Sequence, residues 1–490
     1  HGRAPRRLRR RLTVPRATVV GSGPNGLAAA VTLARTGYEV RVLEAAAAPG
    51  GAARTAELTL PGFRHDVGSA VHPAALASPF FGAFTRASPI DWITPELSFA
   101  HALPGGAAAV WRSLDRTIEQ LGAGGPAWRR VLAPLVARAD EVARTATDAL
   151  LGMPRHPVTA ALLAAQAAAV TALPPREAAV RALLTGLAAH ANTRLPSPTA
   201  SAAGLVLGTY AQAAGWPVPR GGAGAIIDAL IADLHRHGGT LETGLRVRSL
   251  ELLDRGDPAR GDLVMLDTSP RLLLSSPALP RAYARRVRGF RYGAGVAKVD
   301  LALAGPVPWT DPLLAGALTV HLGGAASDTV RAERIVASGR EPRHPFVIVV
   351  QPSVVDDTRA PAGRAVLWAY AHVPGGSRRD PLETVLAELE RHAPGVRDLV
   401  LAAHTTTAAD RELGNPNEVG GDVSGGAFTL AQAVARPVLA GSPWRTPLPG
   451  IYLCSASTPP GPAVHGMAGW HAARTALADA GTRVSLATLF

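Results

Sequence analysis

The stretch TVVGSGPNGLAAAVTLARTGYEVRVLE, Thr18 to Glu44, limits the fold of this 490-residue chain more than any other. Thr18-Val19-Val20 is a short β-branched run and reads as a buried parallel strand. It enters Gly21-Ser22-Gly23-Pro24-Asn25-Gly26, after which Leu27, Ala30, Val31 and Ala34 mark the apolar stripe of a helix. Gly37 stops the helix, and YEVRVLE alternates as a second strand. In such a β-α-β unit Gly21 permits the tight turn, Gly23 lets the backbone approach a pyrophosphate, and Gly26 lets helix pack on strand. The pyrophosphate sits beside Pro24 and Asn25, where free N–H groups and the helix dipole favour an anion. Glu44 ends the second strand, where a carboxylate takes ribose hydroxyls. The unit predicts a dinucleotide site. By itself it does not separate a nicotinamide that exchanges from a flavin that stays.

Composition narrows the class. With 47% hydrophobic and 18% charged residues the chain is globular, and its length allows more than one core. Cys454 is the single cysteine, which excludes a disulfide framework, a cysteine metal site and a CxxC redox pair. It is expected as a buried small hydrophobe, not as a covalent flavin link. The net charge of +13 invites a nucleic-acid reading. Against it, Lys298 is the sole lysine among 50 basic residues, the composition is that of GC-rich coding, and no basic stripe is interleaved with aromatics. No nucleic-acid partner is expected. Residues 1–16, with the run RAPRRLRRRLTVPR, are expected to form a basic disordered tail. Tail and following apolar run imitate a signal peptide, but that apolar run is the dinucleotide strand and helix, so a cytoplasmic location is expected. The alanine-rich run from Pro157 to Leu173 is too weakly hydrophobic for a membrane span and reads as a core helix.

Further motifs follow in order. Gly50-Gly51 and Arg54 come soon after Glu44, and DVGS (Asp66 to Ser69, with Gly68) follows as a strand-to-turn segment. Residues 116–214 read as helices with apolar faces. A helix opening at Ala225 and a strand from Leu245 to Leu250, containing Val247, read as a return to the first domain, with another buried strand within Gly261 to Arg271. VAKVDLAL, FVIVVQPSV and AVLWAYAHV then alternate as strands of a second, mixed sheet. Near the end, PGIYLCSASTPPGPAVHGMAGWHAARTAL is a strand, a glycine–proline loop and a helix.

Taken together, GSGPNG…E, GGAAR, DVGSAVHP and STPPGPAVHGMAGWHAA, spread over about residues 17 to 478, resemble the phytoene-desaturase-like FAD oxidoreductases. These stand with the carotenoid desaturases in one superfamily with the amine oxidases. The resemblance implies an α/β fold: a glutathione-reductase-type Rossmann FAD-binding domain (17–115, 215–292 and 445–490) and an α+β substrate domain of helices (116–214) and mixed sheet (293–444). It implies FAD, held non-covalently. Gly50, Gly51 and Arg54 would lie along the diphosphate, Gly68 and Ser69 beside the isoalloxazine, and Val247 at the adenine through its backbone. In the closing element, Ser455 stands where many relatives carry glycine and would serve the ribityl chain. Gly461, Val464, His465 and Gly466 would bring a helix N-terminus to the flavin C2 carbonyl, where negative charge builds on reduction. A nicotinamide dehydrogenase needs no such element, so the dinucleotide is expected to be FAD.

The same resemblance frames the chemistry. The expected activity is a desaturase or dehydrogenase moving hydride from a C–H bond of an apolar, isoprenoid- or polyene-like substrate to flavin N5. A flavin amine oxidase is one alternative, and a non-redox FAD-dependent isomerase is the other. Amine oxidases place an aromatic in the closing loop to cage the amine; Pro459-Pro460-Gly461-Pro462 lacks it, which favours the first reading. Lys298 is a catalytic candidate because amine oxidases hold a water at N5 with a lysine; a surface lysine is the plain alternative. His465 is the other candidate, as a donor to reduced flavin or substrate, against a purely structural hydrogen bond. No second GxGxxG follows a strand, so oxygen or a quinone is the expected electron acceptor, and relatives acting on carotenoids imply a peripheral membrane contact.

Overall fold

The computed structural model describes residues 14–149, 151 and 154–490. Residues 1–13 of the expected tail lie outside the described residues, and Arg16 already belongs to the first strand. Its backbone N–H donates to Asp262 at 2.8 Å, which anchors the strand start.

The strands of the two main sheets are, in chain order, β1 (Arg16–Val20), β2 (Glu39–Leu43), β3 (Leu97–Leu103), β4 (Gly106–Trp111), β5 (Thr240–Glu242), β6 (Leu263–Leu266), β7 (Gly295–Leu303), β8 (Thr319–Leu322), β9 (Val347–Val350), β10 (Ala365–Val373), β11 (Val400–Thr406) and β12 (Ile451–Leu453). The helices that matter here are α1 (Pro24–Arg35), α2 (Pro157–Ala172), α3 (Ala178–Ala189), α4 (Pro198–Ala213), α5 (Gly224–Arg236) and α6 (Met467–Asp479).

The first sheet is parallel throughout, in the order β12-β6-β1-β2-β5. A parallel sheet needs cover on both faces, and its strands are accordingly apolar on both. On one side Val19, Val40, Val42 and Met265 pack with Leu27 and Val31 of α1, Ile226 and Leu230 of α5, and Ala472 and Ala476 of α6. On the other, Val20, Val264, Leu266 and Leu453 meet Leu250, Leu273 and Leu279. The C-terminal ends of β1, β2 and β6 point at one crevice, the place where open α/β sheets bind ligands.

The second sheet is mixed, in the order β11-β7-β10-β9-β8-β3-β4, with β8 and β3 as its parallel pair. This corrects the expected boundary at residue 115: residues 97–111 lie in the second sheet, because β3 pairs with β8 in the register Val320↔Ala100 and His321↔His101. The sheet has two unlike faces, as the period of two requires. Its outer face carries Val299, Leu301, Leu367, Ala369, Val347, Val349, Val320 and Leu322, packed under Val385, Leu386 and Leu389 of the helix Leu382–Glu390. Its inner face carries Lys298, Tyr370, Ile348, His321 and His101, opposite one another in a row across five strands.

Two further expectations change. Residues 245–249 form no strand. Gly244 and Leu245 donate single hydrogen bonds to Ala46 and Glu44, at 3.0 and 2.8 Å, so the run Leu245–Val247 crosses the end of the sheet as extended chain instead of joining it. Helix α2 is not a core helix: Thr159, Leu163 and Ala167 are buried, while Val158 is 66% exposed. Among the described residues no helix is long and apolar enough to cross a membrane.

Candidate active site

The crevice at the strand ends opens into a cavity of about 1160 Å³ that continues between the helices and the inner face of the second sheet. One end is built by the glycine loop: Gly21, Gly23, Pro24 and Asn25 line it, with Glu44 and Val247 on the adjoining wall. Gly51, Arg54, Gly68 and Ser69 line the middle, facing Ser455, Val464 and His465 of the closing segment. Lys298 lines the roof. Gly26, Gly50, Gly461 and Gly466 stand behind the wall and shape it by close packing. A Cβ on Gly26 would fall on the Gly21 carbonyl oxygen, and one on Gly466 would stand 2.6 Å from the Phe80 ring.

The donors and acceptors of this groove fit a dinucleotide. Glu44 is fixed across the loop: Oε2 accepts from Ser22 N at 2.9 Å and Ser22 Oγ at 2.6 Å, and Oε1 from the N–H of Ala46 at 2.8 Å. A carboxylate has about four acceptor positions, so one remains, on Oε1, for a ribose hydroxyl. Asn25 Oδ1, at the start of α1, is buried without a partner and is free to accept from a hydroxyl. Arg54 Nε donates to Gly51 O at 2.9 Å, which tethers a guanidinium whose other N–H groups suit a diphosphate. A Cβ on Gly23 would stand 2.6 Å from Asp267 Oδ2, so only glycine keeps the loop this tight.

Asp267, at the end of β6, was not legible as a site residue. Its Oδ2 accepts from Gly26 N at 2.9 Å, so a carboxylate already lies at the start of α1. Burial, helped by the charge of Glu44 and opposed by the hydrogen bonds from Gly26 and Gly23, pushes its pKa up to about 7.

Lys298 is not a surface lysine: it is 1% exposed and lines the cavity. Its ammonium pairs with Asp300, two residues on and on the same face, and stands 5.8 Å from the centre of the Trp368 ring. Burial pulls the Lys298 pKa down and the Asp300 charge opposes that. Asp300 is also faced by His65 and His404, at 3.6 and 3.7 Å. Behind them Arg359 donates to Asp66 at 2.8 Å, and Asp66 accepts from Ala223 N at 2.7 Å, which ties the DVGS turn to the second sheet and to the segment leading into α5. The spacing Lys-x-Asp on a strand was the available signal for this pair. Replacing both partners, Lys298→Met with Asp300→Leu, is expected to leave the unfolding free energy from urea titration within about 1.5 kcal/mol of wild type, because apolar residues of similar volume often substitute for a buried ion pair.

His465 has both ring nitrogens in use within the closing loop. Nδ1 accepts from Met467 N at 3.0 Å and Nε2 donates to Gly461 O at 3.2 Å. Burial lowers its pKa to about 4, so it is neutral. It holds the start of α6 in place, and its one N–H is already committed to Gly461 O. Arg436, 2% exposed, bonds Ala456 O at 2.9 Å and Ser424 O, joining the glycine-rich loop of residues 414–426 to the same segment. Cys454 is buried, as expected.

Beyond Lys298 the walls turn apolar. Leu163 of α2, Val206, Leu207 and Tyr210 of α4, and Phe428 face Ile348, Val350, Trp368 and Tyr370 of the sheet. The carboxylates lining the cavity among the described residues, Glu44, Asp148, Asp267, Glu418 and Asp422, already engage protein donors.

Comparison with known proteins agrees with this architecture. Residues 19–83 match the family described as NAD(P)-binding Rossmann-like domain. The chain is 28% identical over 303 residues to pyridine nucleotide-disulfide oxidoreductase domain-containing protein 2 of Rattus norvegicus, covering 54% of this chain and 51% of that protein. It thus spans about half the length of the curated relatives it matches first. It is 32% identical over 132 residues to 4,4'-diapolycopen-4-al dehydrogenase of Metabacillus indicus, 24% of this chain and 25% of that one. Among solved structures, a triple mutant of putrescine oxidase superposes with a TM-score of 0.62 at 17% identity, over 96% of this chain and 99% of that chain, which shows a shared fold.

Proposed function

We propose that the chain is a FAD-dependent oxidoreductase of the superfamily that includes carotenoid desaturases and amine oxidases, that it holds FAD non-covalently, and that it dehydrogenates a C–H bond of an apolar, isoprenoid- or polyene-like substrate. The observation that carries this reading is the unbroken cavity from the phosphate loop to an aliphatic and aromatic chamber. When bound, FAD supplies a hydride acceptor. The protein supplies the rest. Glu44 would take a ribose hydroxyl, and the start of α1 with Arg54 would take the diphosphate. Gly68, Ser69, Ser455 and Val464 would wall the ring, and the backbone at Val247 would border the adenine. Leu163, Val206, Ile348 and Val350 exclude water from the far end and orient an apolar chain. Lys298 and Asp300 keep a compensated charge pair in the roof, so the chamber carries no free charge there.

An amine oxidase is the weaker reading because the cavity carboxylates are engaged and the closing loop offers prolines where an aromatic cage would stand. The electron acceptor in this proposal is oxygen or a quinone. Substrate would be collected from a membrane surface over the exposed side of α2, whose buried side reaches the chamber through Leu163.

The direct test is an absorption spectrum of the purified protein before and after heat denaturation. Bands at about 370 and 450 nm that move to the supernatant are expected for non-covalent flavin. A colourless protein that takes up no added FAD would overturn the reading. With FAD loaded and an artificial electron acceptor present, Lys298→Met is expected to lower kcat/KM at least tenfold, about 1.4 kcal/mol of transition-state stabilisation. Unchanged turnover would make Lys298 purely structural.

A further inference from the structure

The inner face of the second sheet carries hydrogen-bonding groups that a pure hydrocarbon would not satisfy. Thr319 on β8 is 1% exposed and Trp368 on β10 is 7% exposed; both line the cavity, and Thr319 Oγ1 and Trp368 Nε1 are buried without a protein partner. They belong to one row of the sheet, on either side of Val350: Thr319 pairs with Val350 and Val350 with Trp368. Two strand spacings separate their backbones, about 10 Å. An indole N–H only donates, and a threonine hydroxyl donates and accepts. Buried polar groups in folded proteins are hydrogen-bonded, so two such groups on the wall of an otherwise apolar chamber call for a partner inside it.

The chemistry of that partner follows from the charges around it. Lys298 is compensated by Asp300. His190, which lines the chamber, shares a 2.9 Å hydrogen bond with His321, and His101 bonds Gly324 O at 3.0 Å; burial lowers the pKa of His190 to about 3 and of His101 to about 4, so both are neutral. Arg411, which also lines the cavity, is paired with Glu418, and Glu333 behind Tyr370 is paired with His372, so among the described residues this end offers no uncompensated cation for a carboxylate and no uncompensated anion for an amine.

We infer that the substrate carries a neutral oxygen function, a hydroxyl or carbonyl, on its apolar skeleton, and that Thr319 and Trp368 recognise it. The inference rests on the proposed substrate class and sharpens it: the roof selects against the bare hydrocarbon. A site built to hydrogen-bond a substrate oxygen discriminates strongly against the analogue lacking it, because its own buried groups are then left unpaired.

The test uses the 490-residue chain, a C20 polyene alcohol and the hydrocarbon of the same skeleton, both in detergent, with binding read by quenching of tryptophan fluorescence. The wild type is expected to bind the alcohol at least tenfold more tightly. Thr319→Val and Trp368→Phe, which keep size and shape, are expected to cut that preference at least threefold each while leaving the hydrocarbon Kd within twofold. Equal affinities in the wild type, no binding of either ligand, or substitutions that weaken both ligands alike would each overturn the inference. Because the readout needs no flavin, a failure of FAD binding is seen separately in the absorption spectrum and counts against the proposed function alone.

Discussion

Gly26→Ala is expected to abolish the cofactor site instead of weakening it. The added Cβ would fall on the Gly21 carbonyl oxygen and stand 2.9 Å from both Cβ and Oδ2 of Asp267. Asp267 is buried, and the nearest of these atoms is backbone. Overpacking a close contact costs about 1–3 kcal/mol when neighbours can shift, and more when they cannot. Here relief would require lifting α1 off β1. Yet α1 is also wedged from its far side, where Gly469 of α6 packs on the backbone of Asn25 and Ala29. The variant should therefore appear mostly insoluble, and its soluble fraction should hold no flavin. Gly82→Ala is the matched control: it lies within the helix Pro79–Ala87, has open space around its Cβ position, and should be neutral or gain up to about 1 kcal/mol from helix propensity. A Gly26→Ala protein with full flavin content and an unchanged melting temperature would show that the loop is slacker than its packing indicates.

The second large effect is a pH dependence set by Asp267. Its pKa in the folded protein is raised to about 7, with burial as the main cause, against about 3.9 for an unfolded aspartate. A raised carboxyl pKa means that the fold favours the protonated form. Stability from this group is complete below about pH 4 and is lost as the pH rises to about 7. Above that the apoprotein bears a cost on the order of 4 kcal/mol at most. Asp267→Asn keeps the shape and an acceptor for Gly26 N but removes the titration. It should match the wild type in thermal melts at pH 4 and exceed it by several degrees at pH 8. FAD binding should follow the same sign. A diphosphate beside Asp267 and Glu44 is better tolerated while Asp267 is neutral. The wild-type Kd should therefore rise above pH 7, by up to about tenfold per unit for one linked proton, while the variant stays flat. Parallel pH curves for the two proteins would refute the assignment.

What could be read in advance follows from how far apart the interacting residues are. The run from Thr18 to Glu44 is self-contained: turn, helix and strand are neighbours in sequence, so each glycine has its reason within a few residues. The closing strand and helix were legible for the same cause. Residues 97–111 were misassigned because their partner β8 lies more than 200 residues away and nothing local names it. The strand expected at Leu245 to Leu250 failed on a related ambiguity: an alternating run that lines a cavity looks the same as one that joins a sheet. Lys298 and Asp300 alternate with apolar neighbours as on any half-exposed strand, and only distant segments folded over that face, His65 among them, bury the pair. Asp267 ends a strand in the unremarkable run LDTSP. Its meaning comes from Gly23 and Gly26, which fold brings alongside it.

The strand order of the first sheet also sets a timetable. Its centre, β1 and β2, leaves the ribosome first; β5 and β6 follow only after some 200 further residues, and the edge strand β12 with α6 comes after nearly 200 more. Throughout that interval the nascent chain holds an apolar strand pair without its flanks, and the whole second sheet must form or wait in between. Topologies dominated by such distant pairings fold slowly and expose sticky surface while they do. On the proposed function, cofactor loading is expected to follow synthesis instead of accompanying it. A premature stop anywhere before β12 yields a client for chaperones and proteases, with no partly active fragment to recover.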